Sequence, residues 1–192
     1  MKKSHSTLNT DNPTLSFYRL QSDPMPAIPE YATAGSACFD LAAHLIKGEE
    51  IEGIDSVCFP FKRVVQIPTI HNAGEKTPWQ GVIILPGETI KIPTGLILDI
   101  PEGYSVRVHI RSSVAYKLGL VLANNEGIID SDYVDPLFLL IHNRSSHTHW
   151  IDSGQRLAQG ELIKNVQPSF NEILTRPEKK TNRDGGIGST GV

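Results

Sequence analysis

Short apolar runs rich in β-branched residues, separated by turns that contain Pro and Gly, dominate the middle of the chain. Residues 82–85, 89–92, 96–100 and 104–110 form four such runs in close succession. Runs of this length and spacing are typical of strands in an all-β sandwich or barrel. Further strands are predicted over residues 15–20, 38–44, 120–123, 127–129, 137–143 and 157–166.

The segments around this strand-rich centre differ in character. Residues 112–118 carry a helical pattern, which predicts one short helix of about two turns. Residues 1–13 are polar and we expect them to be loose, whereas residues 14–175 are expected to form one β domain. Residues 176–192 are polar and Gly-rich, so they are expected to form a flexible arm unless something orders them.

Residues 45–80 interrupt the strand rhythm with scattered Gly and Pro. We predict that this region is an insertion carrying a hairpin, with strands at residues 57–61 and 63–67. Long insertions cost little stability. A surface decoration is therefore the favoured interpretation, and a binding element for a protein partner is the alternative.

Composition excludes several classes of protein. The 192 residues are 39% hydrophobic and 20% charged, which suits one folded domain rather than a disordered chain. The formal net charge of −3 argues against stable nucleic-acid binding through bulk charge. No apolar run approaches a membrane span or a signal peptide, so we expect a cytoplasmic protein without membrane contact. Two cysteines, Cys38 and Cys58, exclude a disulfide-rich scaffold; free, buried thiols are expected, with one disulfide between them as the alternative.

A predicted strand ends in closely spaced carboxylates at Gly127-Ile128-Ile129-Asp130-Ser131-Asp132-Tyr133. A carboxylate in such a position can orient and deprotonate a water molecule for attack on an electrophile. Asp and Ser also favour turns because their side chains bond to nearby backbone groups. The motif therefore indicates either a general base or a plain turn.

Three further motifs combine hydroxyls, glycines or amides with arginine. Arg111-Ser112-Ser113 joins a strand to the predicted helix and suits an anion, with plain helix capping by a serine as the alternative. Residues 183–191 hold glycines, hydroxyls and Arg183, and can wrap phosphate oxygens or form only a loose tail. In Gly154-Gln155-Arg156-Leu157-Ala158-Gln159, the arginine is a ligand contact or a structural ion pair.

The order of these motifs resembles the five motifs of the trimeric dUTPase family. Residues 34–41, 111–113, 127–133, 154–159 and 183–191 resemble the first to the fifth motif in turn. The resemblance implies a jelly-roll-like β fold and a homotrimer whose active sites are shared between subunits. It also implies hydrolysis of dUTP to dUMP and pyrophosphate, with Mg²⁺ carried by the substrate triphosphate and no direct protein ligand to the metal.

The resemblance assigns roles to residues of this chain. Asp130 takes the catalytic role of activating a water that attacks the α-phosphorus. Tyr133 lies against the deoxyribose, while Asn124 and the backbone around Gly127 and Ile129 read the uracil. The phosphates are held by residues of the domain and of the arm that closes over the nucleotide: Arg111, Ser112, Ser113, Gln159, Arg183, Gly188, Ser189 and Thr190. Ile187 covers the base, and three charged residues support the site: Asp40, Asp132 and Arg156.

Some positions depart from the family's pattern. Ile187 stands where the family usually has an aromatic residue, which predicts weaker binding of the base. The segment Val134-Asp135-Pro136 follows Tyr133 in place of Arg-Gly-Glu and removes a cation from the expected subunit boundary. Gln155 replaces an aspartate of the fourth motif, and Ser113 a glycine of the second.

Two other functions are compatible with the same fold. A dCTP deaminase, or a bifunctional enzyme, would need a catalytic glutamate three residues before Asn143, where this chain has Leu140. Leucine cannot transfer protons, which disfavours both. A nucleotide-binding regulatory protein is the alternative from a different class, and it would retain nucleotide without releasing pyrophosphate.

Overall fold

The structure of the chain is a computed structural model that describes residues 12–67 and 80–182. Within these two stretches the chain is mostly strand, with one short helix, α1, at Ser112–Leu118. The strands are β1 Ser16–Arg19, β2 Phe39–Ala42, β3 Glu50–Ile54, β4 Pro60–Val64, β5 Gly81–Ile84, β6 Thr89–Pro93, β7 Leu96–Asp99, β8 Tyr104–Ile110, β9 Leu120–Leu122, β10 Gly127–Asp130, β11 Phe138–Asn143, β12 His149–Asp152 and β13 Arg156–Lys164.

Antiparallel pairing sorts these strands into two larger sheets and two ribbons. The four-stranded sheet has the order β10-β8-β13-β2, the five-stranded sheet has the order β4-β3-β6-β11-β9, and the ribbons are β1-β7 and β5-β12. Both larger sheets contribute one face to a single hydrophobic core, as expected for a sandwich. The predicted all-β, jelly-roll-like class is therefore confirmed. Core residues include Leu41, Val106, Val108 and Leu157 from the first sheet, and Ile51, Ile90, Leu139 and Ile141 from the second.

A hairpin is present between residues 45 and 80, but the predicted positions of its strands are wrong. The strands are β3 and β4, and residues 55–59 form the turn between them. The Asp55 carboxylate accepts hydrogen bonds from the N–H groups of Val57 and Phe59, each at 2.9 Å. This side chain therefore fixes a turn where apolar residues suggested a strand. β3 escaped prediction because it alternates glutamates with apolar residues and contains Gly53.

Two smaller expectations also need correction. Both cysteines are free, but Cys58 is exposed in the β3–β4 turn, so the prediction that both thiols are buried is wrong. β12 was not predicted, and it pairs with β5. No helix among the described residues has the length and apolar character needed to cross a membrane.

β8 organises the part of the fold where the candidate site lies. It pairs with β10 along one edge and with β13 along the other, and β13 in turn pairs with β2. α1 begins directly after β8 and ends at Gly119, whose φ of 63° is the left-handed conformation typical of a helix C-terminus. Three of the predicted motifs therefore lie on neighbouring strands of one sheet.

Candidate active site

A cavity of about 250 Å³ lies beside β10, and we call it the β10 cavity. Most of its remaining wall is aliphatic or aromatic, from β8, β9 and β11. This combination of an apolar wall with a few polar groups is typical of small-molecule sites. Four residues expected to bind the nucleoside line it together with the expected general base, Asp130: Asn124, Gly127, Ile129 and Tyr133.

The turn that enters β10 is built by asparagines and a glycine. Asn125 has a φ of 59°, a left-handed conformation that asparagine tolerates better than most residues. The Glu126 N–H donates to the Asn124 carbonyl at 2.6 Å, which closes the turn. Gly127 then lies opposite Val108, and a Cβ at this glycine would stand 3.1 Å from the Val108 Cβ. A larger residue at Gly127 would therefore press on the cavity wall.

A second turn follows β10 and sets Tyr133 beside Asp130. The Tyr133 N–H donates to the Asp130 carbonyl at 3.2 Å, and the Tyr133 phenol donates to the Pro136 carbonyl at 3.1 Å. Burial raises the pKa of the Tyr133 phenol, and the negative charge of Asp135 raises it further. The phenol therefore stays a hydrogen-bond donor at neutral pH. The turn expected as the alternative exists, and it also places both side chains on the cavity.

Asp40, Arg111 and Arg156 form a second group, which we call the Asp40 cluster. Arg111 Nε lies 3.3 Å from Asp40 Oδ1, and Arg156 Nη1 lies 2.8 Å from Asp40 Oδ2. The Asp40 side chain is only 13% exposed, whereas that of Arg156 is 55% exposed. Arg156 is thus the structural ion pair that its sequence allowed. Gln159 joins the group, because it lies directly opposite Asp40 in the pairing of β13 with β2.

Ser112 and Ser113 extend the Asp40 cluster into the first turn of α1. Both side chains are exposed. The residue at the helix N-cap is Arg111, and no side chain caps the helix. The interpretation of a serine as the helix cap is therefore wrong, and both serine side chains lie on an open surface, directly after Arg111 in the chain.

The Asp130 end of the β10 cavity and the Asp40 cluster lie toward opposite ends of β8. Asp130 pairs with Ser105 near the start of this strand, and Arg111 follows its last residue. Six residues of extended chain span about 20 Å at a rise of roughly 3.3 Å per residue. Within one chain, the Asp130 carboxylate and the Arg111 guanidinium therefore cannot touch the same phosphate group.

The other predicted site residues have mixed outcomes. Asp132 is exposed in the turn after β10 and does not line the cavity. Among the residues of the two described stretches, no group of three or more His, Cys, Asp or Glu side chains is arranged to hold a metal ion. The predicted residues of the arm lie outside the described residues: Arg183, Ile187, Gly188, Ser189 and Thr190.

Sequence reasoning missed two contributors to the cavity. Phe138 lines it from β11, where it was assigned only to a predicted strand. Pro136 accepts the hydrogen bond of Tyr133 and was noted only as a departure from the family's pattern. The alternation along β11 carries a signal for Phe138, since its neighbour Leu139 is buried and Phe138 must face the other way.

Comparisons with known proteins all identify similarity to dUTPases. A family model described as dUTPase matches residues 79–191. The deoxyuridine 5'-triphosphate nucleotidohydrolase of Brucella melitensis biotype 2 is 33% identical over 180 residues, which cover 94% of each chain. Its counterpart from Tolumonas auensis is 35% identical over 165 residues, or 85% of this chain and 87% of that one. The fold is similar to that of a Staphylococcus bacteriophage 80alpha dUTPase solved with dUPNHPP, with a TM-score of 0.64, 21% identity, and coverage of 94% and 100%.

Proposed function

Because this chain belongs to the dUTPase family, we propose that it hydrolyses dUTP to dUMP and pyrophosphate. One observation carries the proposal: the four residues expected to bind the deoxyuridine and the expected general base, Asp130, line a single cavity. Its volume of about 250 Å³ suits a small ligand rather than a polymer. The reaction limits uracil in DNA and supplies dUMP for dTMP synthesis. Since nucleoside triphosphates are made and used inside cells, it belongs in the cytoplasm.

In the proposed reaction, Asp130 is the general base. Its carboxylate is exposed at the cavity, where it can orient a water molecule and take a proton from it. The water oxygen forms a bond to the α-phosphorus, and the bond from this phosphorus to the bridging oxygen of the β-phosphate breaks. Pyrophosphate leaves with that oxygen, and the proton removed from water resides on Asp130.

Recognition of the nucleoside falls to the walls of the cavity. The Asn124 amide and the backbone around Gly127 and Ile129 present hydrogen-bonding groups to the edge of the uracil. The Tyr133 ring packs against the deoxyribose. Because the rest of the wall is apolar, water is largely excluded from the base, which strengthens these hydrogen bonds.

The triphosphate requires the Asp40 cluster. Arg111 and Gln159, with the hydroxyls of Ser112 and Ser113, supply a cation and donors for the negative charge that builds up during phosphoryl transfer. Asp40 holds two arginines in place by ion pairs of 3.3 and 2.8 Å. We assign to this group the phosphates of a nucleotide whose base is bound elsewhere.

We propose that the complete site is assembled in a homotrimer. The separation of about 20 Å along β8, from its rise per residue, supports this arrangement. Asp130 of one chain would then work with the Asp40 cluster of a second copy. Residues 176–192 of the third copy would close over the nucleotide, with Arg183, Ser189 and Thr190 on the phosphates, Gly188 beside them and Ile187 over the base.

We infer that the substrate is the Mg²⁺ complex of dUTP. No cluster of acidic or imidazole side chains among the described residues offers a resident metal site, and Mg²⁺ commonly keeps several waters while binding substrate phosphates. The metal ion neutralises phosphate charge when it arrives with the nucleotide. Leu140 lies in the wall of the same cavity, and its side chain has no group that can donate or accept a proton. This disfavours the deaminase alternative.

The decisive experiment measures pyrophosphate release from dUTP, dCTP, dTTP and UTP, each with Mg²⁺, with ammonia assayed in parallel. Pyrophosphate from dUTP alone is the expected result. Ammonia from dCTP would identify a deaminase instead. Bound dUTP without either product would identify a nucleotide-binding protein that has kept the fold.

A further inference from the structure

Two hydrogen bonds hold Tyr133 beside the β10 cavity, one from its backbone and one from its phenol. Its backbone N–H bonds to the Asp130 carbonyl at 3.2 Å, and its phenol donates to the Pro136 carbonyl at 3.1 Å. The second bond turns the side chain back onto its own loop. The hydrogen bond to Pro136 therefore restricts the orientation of a ring that lines the cavity, and it already occupies the phenol as a donor.

The acceptor of this hydrogen bond is itself firmly anchored through the next residue. The Leu137 N–H donates to the Leu96 carbonyl at 2.7 Å. The Leu137 carbonyl accepts from the Thr94 N–H at 3.0 Å and from the Thr94 hydroxyl at 2.8 Å. Leu137 and Thr94 are both almost fully buried, and the ring of Pro136 fixes its own φ. The Pro136 carbonyl is therefore a fixed point in an otherwise exposed turn.

Resting on the proposed function, we propose that the Pro136 carbonyl is the positioning group that holds the Tyr133 ring against the sugar and thereby sets the preference for deoxyribose over ribose. A ribose adds one hydroxyl to the face of the sugar, and a ring that cannot rotate away denies it room. Without the anchor, the ring gains rotamer freedom and can yield to the extra atom. Discrimination then comes from a fixed steric wall rather than from an added attraction.

This anchor lies within Val134-Asp135-Pro136, where the chain departs from the Arg-Gly-Glu that usually follows the tyrosine. Proline at this position fixes the backbone where the usual Gly-Glu pair leaves it freer. The same three residues thus remove a cation from the turn and provide the anchor.

Two variants and a matched control test the proposal. Tyr133→Phe keeps the ring and removes the donor, and Pro136→Gly keeps the carbonyl and releases the backbone. Tyr18→Phe removes a hydroxyl from a tyrosine that is 54% exposed on β1 and does not line the cavity. We measure kcat/KM for dUTP and UTP, and calorimetric affinities for dUMP and UMP. Thermal unfolding verifies that each variant is folded.

In both test variants we expect the preference for dUTP over UTP to fall roughly three- to tenfold, the range that one neutral hydrogen bond supports. The readout is the ratio of the two kcat/KM values, which changes because loss of the anchor relieves the steric conflict with the ribose hydroxyl and so favours UTP relative to dUTP. Tyr18→Phe keeps the original preference. If Pro136 has a purely structural role, kcat/KM for dUTP and for UTP will fall together, and the proposal is overturned. An unchanged preference for dUTP over UTP in Tyr133→Phe would also overturn it. If the chain releases no pyrophosphate from dUTP, the proposed function fails, and the dUMP and UMP affinities still decide the role of the anchor.

Discussion

Arg63 and Glu88 form a two-pronged ion pair that joins the inserted hairpin to the body of the domain. Arg63 Nη1 lies 2.6 Å from Glu88 Oε2, and Nη2 lies 2.9 Å from Oε1. The Glu88 side chain is 7% exposed, and its Oε2 also accepts from the Leu85 N–H. Burial alone would raise the pKa of Glu88, but the hydrogen bonds from Arg63 and Leu85 outweigh it and hold the pKa below its ordinary value. β4 is thus attached to the β5–β6 turn by charge, in addition to its sheet pairing with β3.

We expect Arg63→Ala to destabilise the protein by about 3 kcal/mol, because it leaves a buried carboxylate without its partner. Lys62→Ala is the matched control on the same strand, since its ion pair with Glu50 is solvent-exposed on both sides. Urea unfolding measures both. Because uncharged replacements often restore stability, the double variant Arg63→Met with Glu88→Gln should recover much of the loss. Equal effects of Arg63→Ala and Lys62→Ala would contradict this account of the hairpin.

His44 makes the stability of the domain sensitive to mild acid. Burial lowers its pKa below the ordinary value of 6.5, and the nearby charge of Glu49 opposes this only in part. In the unfolded chain His44 takes up a proton near its ordinary pKa, whereas in the folded chain it resists protonation. The contribution of His44 to stability is therefore complete above about pH 6.5 and falls as the pH drops through 6.5 toward the lower folded pKa.

Urea midpoints at pH 7.5, 6.5 and 5.5 check this expectation. The wild type should lose stability across the series, and His44→Gln, which keeps a polar partner for the Ser22 hydroxyl 2.9 Å away, should lose less. Glu88 does not confuse the comparison, because a carboxyl with a lowered pKa loses its contribution only below its ordinary value of 4.5. Parallel curves for the two proteins would remove His44 from the explanation.

Local patterns predicted much of the fold, and long-range pairing explains most of what they did not. The bounds of α1 and the sequence of β8 follow from residues that are neighbours in the chain. The turn at Asp55 could not be seen in the same way, because one carboxylate binding two N–H groups overrides the strand tendency of the residues after it. Adjacent hydrophobic residues then occupy an exposed turn.

In the candidate site too, local sequence predicted one part, and the other part depends on long-range strand pairing. The polar residues of the β10 cavity come from residues 124–133, so their spacing already indicated a shared role. The Asp40 cluster was not visible as a cluster, because Asp40 and Arg156 are 116 residues apart and meet only when β13 pairs with β2. A resemblance could name both residues, but only the register of the strands brings their charges together.

Removing the Asp40 side chain should weaken the binding of the triphosphate more than the binding of the nucleoside. In Asp40→Ala, Arg111 and Arg156 lose their shared anchor and the correct orientation toward phosphate. We expect KM for dUTP to rise about tenfold, equivalent to the loss of one charge-assisted hydrogen bond. Calorimetry with deoxyuridine, which has no phosphate, should give an unchanged affinity. Asp40→Asn keeps one acceptor and should show a smaller rise in KM, and an equal loss of deoxyuridine binding would place Asp40 in the wrong half of the site.

Asp130→Asn should separate binding from chemistry. The amide keeps the shape of the side chain but is too weak a base to take a proton from water, so kcat should fall by about two to four orders of magnitude. The affinity for a non-hydrolysable dUTP analogue should stay within about threefold of the wild type. Asp99→Asn is the control, an exposed carboxylate on β7 outside the cavity. Wild-type turnover in Asp130→Asn would assign the general base to another group.

Asp130 and Arg111 are about 20 Å apart along β8, as calculated from the rise per residue of the strand. This separation predicts that two inactive variants can complement each other. Asp130→Asn chains retain the Asp40 cluster, and Arg111→Ala chains retain the Asp130 carboxylate. If one active site takes its base from one chain and its phosphate-binding group from another, a mixed oligomer contains intact sites. Random mixing in equal amounts gives about a quarter of sites both groups, whichever copies supply them.

Equimolar variant chains are unfolded together, refolded and assayed for pyrophosphate release, with each variant refolded alone as the control. Activity near a quarter of the wild-type value is the expected outcome. Chains that are mixed after separate refolding should stay inactive, because their subunits have not exchanged. A co-refolded mixture that assembles into mixed oligomers but gains no activity would mean that each chain builds its own site. The arm or a loop of the same chain would then have to carry the cation needed beside Asp130.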